Sequence, residues 1–283
     1  SVVLVNGRMS DRSSRSYARW GSFFRRLFGA FDTLCMQTDE DAARVRRVVG
    51  DGASVVVCNT MKFDQIPDAE GADKSALLDE VFGGGERLVF CAGSTHPGEE
   101  AMVCGAFCGV QREVPHVHMI LVPRHHERSP EVEQVLADHG LSYRLLVPRV
   151  GREEPVGPVA VLLVNTTGEL MNLYAASDVA YVGKSLAGNE GGHNIIEPAI
   201  FGKAILHGDN MQNFRAVAAI FREAEAAVEV TSETEFGEAF RGLLMDPVKR
   251  GALGGRARAV VERCRGAIDR TLDCIEPFLE KRP

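Results

Sequence analysis

The chain has 283 residues, 45% of them apolar and 25% charged, with a formal charge of −7, values ordinary for a globular protein of about two domains. The acidic balance argues against a general nucleic-acid binder, and no run approaches the ~18 apolar residues of a membrane-spanning helix. The seven cysteines are scattered without a CxxC pair, which reads as small buried residues in a reducing compartment, not a disulfide framework or zinc site.

In chain order, short β-branched runs predict strands at 2–5, 55–58, 88–92, 117–122, 143–147, 159–164 and 179–183, with a weaker one at 204–207. Helical stretches are predicted at 12–30, 39–49, 73–82, 99–110, 130–139, 169–176, 195–201, 212–224, 233–244 and 247–280. The strands are mostly apolar on both faces, as parallel strands covered by helices are. The alternation predicts an open, doubly wound α/β architecture. Residues 64–76 (DQIPDAEGADKSA) are polar and without apolar period, so they read as an interdomain linker. The expected division is therefore 1–76, the C-terminal part of a first domain and the linker, and 77–283, a complete second domain. Residues 1–63 hold too few strands to close a sheet alone. The opening Ser1 adds to the expectation that the chain starts partway through a longer product.

Five segments carry candidate chemistry. Arg8, Arg12, Arg15 and Arg19 recur at spacings of 4, 3 and 4, beside an aromatic-rich set of Trp20, Phe23, Phe24, Leu27, Phe28 and Phe31. Residues 1–31 carry six arginines against Asp11, a net of +5, which leaves −12 for the rest. A basic amphipathic helix suits an anionic membrane surface or lipid headgroup; the alternative is that the aromatic face packs into its own domain and the arginines are solvated. Ser94 to Glu100 (STHPGEE) follows a strand and opens a helix. Such a helix start offers free N–H groups to an anion, although Ser94 or Thr95 can equally be a plain cap. Pro123 to Arg128 (PRHHER) ends a strand, where ligands of open α/β sheets bind. Arg124 there can grip a phosphate through its planar fork, or the segment is a solvated charge cluster. Adjacent His125 and His126 point apart, and His116 and His118 lack a third ligand, so no metal site is expected. Thr167 to Leu170 (TGEL) is a weaker signal: Gly168 permits close backbone approach and Glu169 begins a helix.

The fifth segment, Gly188 to Ala199 (GNEGGHNIIEPA), says most. A glycine-bearing loop leads into a helix with Pro198 in its first turn. Glycines let the backbone fold around an oxyanion and the helix end adds positive charge. His193 and Asn194 fall where the helix starts, and Glu197 lies about a turn in, where a carboxylate can accept from ribose hydroxyls. A purely structural loop is the alternative. Gly183-Lys184-Ser185 resembles the end of a P-loop, but Asp178 stands where its first glycine belongs. No GxGxxG opens a helix after a strand, which disfavours a nicotinamide cofactor.

Together the blocks NGRMSDRS (6–13), QTDEDA (37–42), KFD (62–64), STHPGEE (94–100), LVPRHxER (121–128), GEL (168–170), GGHNxxEPA (191–199) and NF (213–214) resemble the 3-deoxy-D-manno-octulosonic acid (Kdo) transferase family. They appear in the family's order and cover nearly the whole chain. The resemblance implies a two-domain GT-B glycosyltransferase with Rossmann-like domains. It implies transfer of Kdo from CMP-Kdo to the lipid A precursor at the cytoplasmic face of the bacterial inner membrane, in lipopolysaccharide synthesis. The reaction would be inverting and metal-independent, with CMP-Kdo as a substrate and no cofactor. Arg124, His125, Gly168, Glu169, Leu170, Asn194, Ile195, Ile196 and Glu197 would contact CMP. Gly191, Gly192 and His193 would support the loop, and Arg8, Arg12, Arg15 and Arg19 would face acceptor and membrane. The helix-end reasoning adds Ser94 and Thr95. Family members carry an earlier half-domain with membrane anchor, general base and much of the acceptor site, so this chain alone is expected to be incomplete for catalysis and peripheral to the membrane, and no base is assigned. His126 and Asp209-Asn210 depart from the family pattern. Two other readings stand beside this one: a non-catalytic CMP-sugar-binding and membrane-docking fragment, and another nucleotide-sugar enzyme of the same fold.

Overall fold

Every apolar run expected to form a strand does so, with ends moved by a few residues. The computed structural model describes residues 1–50, 53–65, 71–151, 153 and 155–279. The chain divides into two compact units, residues 1–67 with 262–283, and residues 68–261. The C-terminal stretch thus groups with the first unit, where the sequence placed it in the second. Residues 66–70 of the expected linker lie outside the described residues.

The first unit contains β1 (Val3–Gly7), α1 (Asp11–Arg19), α2 (Gly21–Phe28), β2 (Thr33–Met36), α3 (Asp39–Val49) and β3 (Val55–Val57). Its three strands are parallel in the order β1-β2-β3. Thr38 caps α3 by accepting the Asp41 N–H at 3.1 Å; the Asp41 carboxylate in turn accepts the buried Met9 N–H at 2.9 Å. This ties the segment after β1 to the start of α3.

The expected single helix over 12–30 is two helices. Trp20 leaves helical geometry (φ −105°, ψ 37°) between α1 and α2. Arg8 precedes the α1 cap, Ser10, so the helical arginine stripe shrinks to Arg12, Arg15 and Arg19. The aromatic set splits as well. Phe24, Phe28 and Phe31 pack on the core of Leu34, Met36 and Val45, with Phe24 stacked on Tyr17 at 4.0 Å. Trp20, Phe23 and Leu27 stay 69%, 62% and 45% exposed.

The second unit runs α4 (Ser75–Phe82), β4 (Leu88–Thr95), α5 (Glu99–Gln111), β5 (Val117–Pro123), α6 (Ser129–Asp138), β6 (Tyr143–Leu145), β7 (Val161–Leu163), α7 (Leu170–Ala175), β8 (Val179–Val182), α8 (Ile196–Ala199), β9 (Ala204–Gly208), α9 (Arg215–Glu223), β10 (Val228–Val230), α10 (Glu233–Met245) and most of α11 (Pro247–Cys264). Its seven strands are all parallel, in the order β10-β9-β8-β4-β5-β7-β6. The central strands are buried along most of their length because helices cover them. Phe90, Tyr181, Phe236 and Phe240 anchor that core, each at most 0% exposed.

The expected helix over 247–280 is also two. Gly266 adopts φ +81° and α12 (Ala267–Leu279) restarts the chain within the first unit. The Asp64 carboxylate accepts the Gly266 and Ile268 N–H groups at 2.8 and 2.7 Å, satisfying donors that a helix start leaves free. No helix among the described residues is long and apolar enough to cross a membrane.

Candidate functional site

The strand order of the second unit reverses beside β4: the chain moves from β4 to β5 on one side and later to β8 on the other. The crevice outside the carboxyl ends at such a reversal is where open α/β sheets bind ligands. Two glycines let the chain close up there. A Cβ on Gly93 would overlap the Tyr174 hydroxyl and crowd Leu170, and one on Gly183 would overlap the Ser94 carbonyl. Ser94 is held in the left-handed region at φ +55°, where the β4–β5 register shifts.

One buried carboxylate organises the crevice. Glu99 accepts five hydrogen bonds: from the Tyr181 hydroxyl at 2.7 Å and from the N–H groups of His96, Lys184, Ser185 and Leu186 at 2.9, 2.8, 3.0 and 3.1 Å. It joins the first turn of α5 to the loop after β8. Burial and the Glu99 charge push the Tyr181 hydroxyl well above the usual phenol range. Glu100, also buried, pairs with Arg128 at 2.9 Å.

Above this support lies a basic cluster. The Nε2 atoms of His96 and His193 are 3.1 Å apart, with rings stacked at 5.3 Å, and His125 stands edge-on to His96 at 5.9 Å. One ring must donate and the other accept, so the pair shares a single proton. Burial, then His96, Arg124, Lys184 and His125, hold His193 down to about 4. Burial and the same Lys184 and His125 lower His96. These groups therefore repel one another's protons and leave an electropositive crevice. Arg124 is exposed and makes no ion pair among the described residues; its N–H donates to the Thr95 carbonyl at 3.0 Å. Burial raises Glu197, and Asn194 and Arg124 pull it back.

Several expected residues thus meet, and several play other parts than expected. Ser94 and Thr95 end β4 and do not cap α5; Gly98 holds that position. Thr95 is fully buried, and its hydroxyl has no hydrogen-bond partner among the described residues. The helix after the glycine loop has only four residues, too few for an end charge of the strength expected. The Gly191 N–H goes to Asn210 O and Gln212 Oε1, and the Gly192 N–H to Lys184 O, so those amides serve the loop and not an oxyanion. Both residues have positive φ, 119° and 66°. The amides of His193, Asn194 and Ile195 donate to no partner among the described residues. Ile195 and Ile196 are fully buried and offer a ligand only backbone. Asn194 Oδ1 accepts the Ile196 N–H at 3.2 Å. Gly168 has φ +89°, and Glu169 is engaged by Lys74 at 2.8 Å. His118 stacks on Phe82 at 4.5 Å and bonds the Val159 carbonyl, an ordinary structural histidine. Sequence reasoning missed the parts played by His96, Lys184 and Glu99. STHPGEE and GKS were both visible, but nothing local says that they meet.

Residues 1–65 match the family model described as 3-deoxy-D-manno-octulosonic-acid transferase (kdotransferase). Along 98% of its length the chain is 34% identical to the 3-deoxy-D-manno-octulosonic acid transferase of Bordetella pertussis, and along 99% it is 28% identical to that of Haemophilus influenzae. It spans 64% of the length of each. Among solved structures, the C-terminal CMP-Kdo binding domain of WaaA from Acinetobacter baumannii is 27% identical, with a TM-score of 0.59 over 66% of this chain and 96% of that one. Anabaena HepE, solved with UDP, shares the fold alone at 13% identity, with a TM-score of 0.55 over 98% of this chain and 72% of that one. The fold is that of the GT-B glycosyltransferases.

Proposed function

We propose, from the likeness to Kdo transferases along nearly the whole chain, that the chain belongs to that family, that its second unit binds CMP-Kdo, and that it serves a glycosyltransferase moving Kdo to the lipid A precursor in lipopolysaccharide synthesis. The observation that carries this reading is the joining of His96, His125, His193, Lys184 and Arg124 at the crevice where the strand order reverses. A nucleoside monophosphate supplies the single anionic group that such a cluster attracts.

The chemistry follows from where charge grows. As the anomeric carbon loses CMP through an oxocarbenium-like state, negative charge builds on the departing phosphate. Arg124, Lys184 and the free amides of residues 193–195 stabilise charge at that point. These cations balance one phosphate, so the reaction we propose is metal-independent, needs no cofactor, and is inverting through in-line attack. Glu197, beside Arg124, accepts from the ribose hydroxyls. No residue is assigned as general base. Arg12, Arg15, Arg19 and the exposed Trp20, Phe23 and Leu27 face the anionic cytoplasmic surface of the inner membrane and the acceptor.

Thermal unfolding tests the donor site. Millimolar CMP raises the melting temperature by mass action, UDP does so less, EDTA leaves the shift intact, and Arg124→Ala removes it without lowering the ligand-free melting temperature. No shift with CMP, or a larger one with UDP, overturns the reading.

A further inference from the structure

Three cysteines that are far apart in sequence meet in the first unit. Cys35 lies within β2, Cys58 directly follows β3, and Cys274 lies on α12. Their sulfur atoms all fall within 4.8 Å of one another, and those of Cys58 and Cys274 are 4.0 Å apart across a separation of 216 residues. The strand register explains part of this: Cys35 pairs with Val56, and the Cys58 N–H continues the ladder to the Met36 carbonyl at 2.9 Å. α12 then brings its sulfur over the pair. Cys35 and Cys58 are 0% and 1% exposed, whereas Cys274 is half-buried.

We propose that Cys35, Cys58 and Cys274 form a structural site for a thiophilic closed-shell metal ion, Zn(II) by charge balance, with water as the fourth ligand on the Cys274 side. The geometry is close to what such an ion needs. Sulfurs ~2.3 Å from a common tetrahedral centre lie ~3.8 Å apart, against 4.0 Å for one pair and at most 4.8 Å for the others. The donors are all sulfur, the set that selects zinc or Cu(I) over hard ions. The third sulfur separates this proposal from a disulfide, which would use two and leave Cys35 idle. Binding converts three thiols and one Zn(II) into a tris-thiolate complex of charge −1 and three released protons. Arg270 stands ready to offset that charge: its Nε donates to the Cys58 carbonyl at 3.2 Å and its Nη2 to the Cys264 carbonyl at 3.3 Å. The ion would fasten α12 to β2 and to the end of β3, closing a very long loop of chain. The site is separate from the crevice of the second unit and does not depend on the donor it binds.

The test titrates the full chain, kept reduced by a phosphine, with Zn(II) alone and Co(II) alone. The expected result is one ion per chain, a thiolate-to-cobalt charge-transfer band, three sulfur neighbours at ~2.3 Å by zinc X-ray absorption, and a melting temperature that rises with Zn(II). Cys274→Ser should weaken binding at least tenfold and lower the band by about a third, whereas Cys108→Ser, in the second unit, should leave both unchanged. Failure to take up one equivalent, or undiminished binding in Cys274→Ser, would overturn the proposal. Should Cys274→Ser not fold, the sulfur count of the wild-type zinc complex decides: three supports the site and fewer than three rejects it.

Discussion

Glu99 shows what a single residue contributes beyond its sequence context. At the first turn of a helix, a glutamate reads as a partner for the helix dipole. Here its carboxylate also satisfies three amides of the loop after β8 and the hydroxyl of Tyr181. Glutamine at this position has one acceptor oxygen and presents an NH2 to donors. Stranding even one or two buried donors costs about 1–3 kcal/mol each. Glu99→Gln should therefore lower the melting temperature by about 5–10 °C and weaken CMP binding, because the loop it fixes carries Lys184. Calorimetry and CMP titration check both; an unchanged melting temperature would show that the five bonds are not made. Gly208 is a second point of this kind. A Cβ there would overlap the Ser185 carbonyl, so Gly208→Ala should destabilise by about 1–3 kcal/mol through forced backbone shifts, read as a lower denaturant midpoint.

Among the elements, α1 and α2 divide the aromatic set that spacing alone leaves whole. Phe24, Phe28 and Phe31 turn inward while Trp20, Phe23 and Leu27 do not, so internal packing does not claim the whole aromatic set, and the proposed membrane surface has only the exposed half to use. The two halves should separate experimentally. Trp20→Ser with Phe23→Ser should reduce association with anionic vesicles about tenfold or more and leave the melting temperature within a degree or two. Phe24→Ser, which removes a half-buried ring from the core, should instead destabilise by about 1–3 kcal/mol. Cosedimentation with vesicles and thermal unfolding distinguish them. The same elements show where sequence reading stops. Long β-branched runs such as 88–92 and 117–122 declare themselves. β2 and β10 escape because neither is a β-branched run: β2 is Thr33-Leu34-Cys35-Met36, and β10 carries Glu229 at its centre. The breaks at Trp20 and Gly266 escape because a helix periodicity continues across them; the Asp64 bonds that fix the second come from some 200 residues away in sequence. The basic crevice was legible as to Arg124, His125 and His193, while His96 and Lys184 became visible only through the meeting of β4 and β8.

For the molecule as a whole, the charge of −7 sits beside a crevice that concentrates cations and nearly neutral imidazoles, and this fixes how stability and binding respond to pH. His193 is held down to about 4 from its ordinary 6.5, and His96 is lowered in the same direction. Between those values the unfolded chain binds a proton that the folded chain refuses. Stability therefore rises with pH across this window. It should be fully present above about 6.5 and fall as the solution is acidified toward about 4, and His193→Gln should flatten that part of the curve. A bound phosphate reverses the local preference, because an anion beside imidazoles favours their protonated form. Binding CMP should then draw protons from solution and tighten as pH falls from 8 to 6, by at most about tenfold for each whole proton taken up per unit of pH. Calorimetric titration in buffers of different ionisation enthalpy measures that uptake directly. An affinity that does not change between pH 8 and 6, with no proton taken up, would mean that the phosphate sits away from the His96–His193 pair.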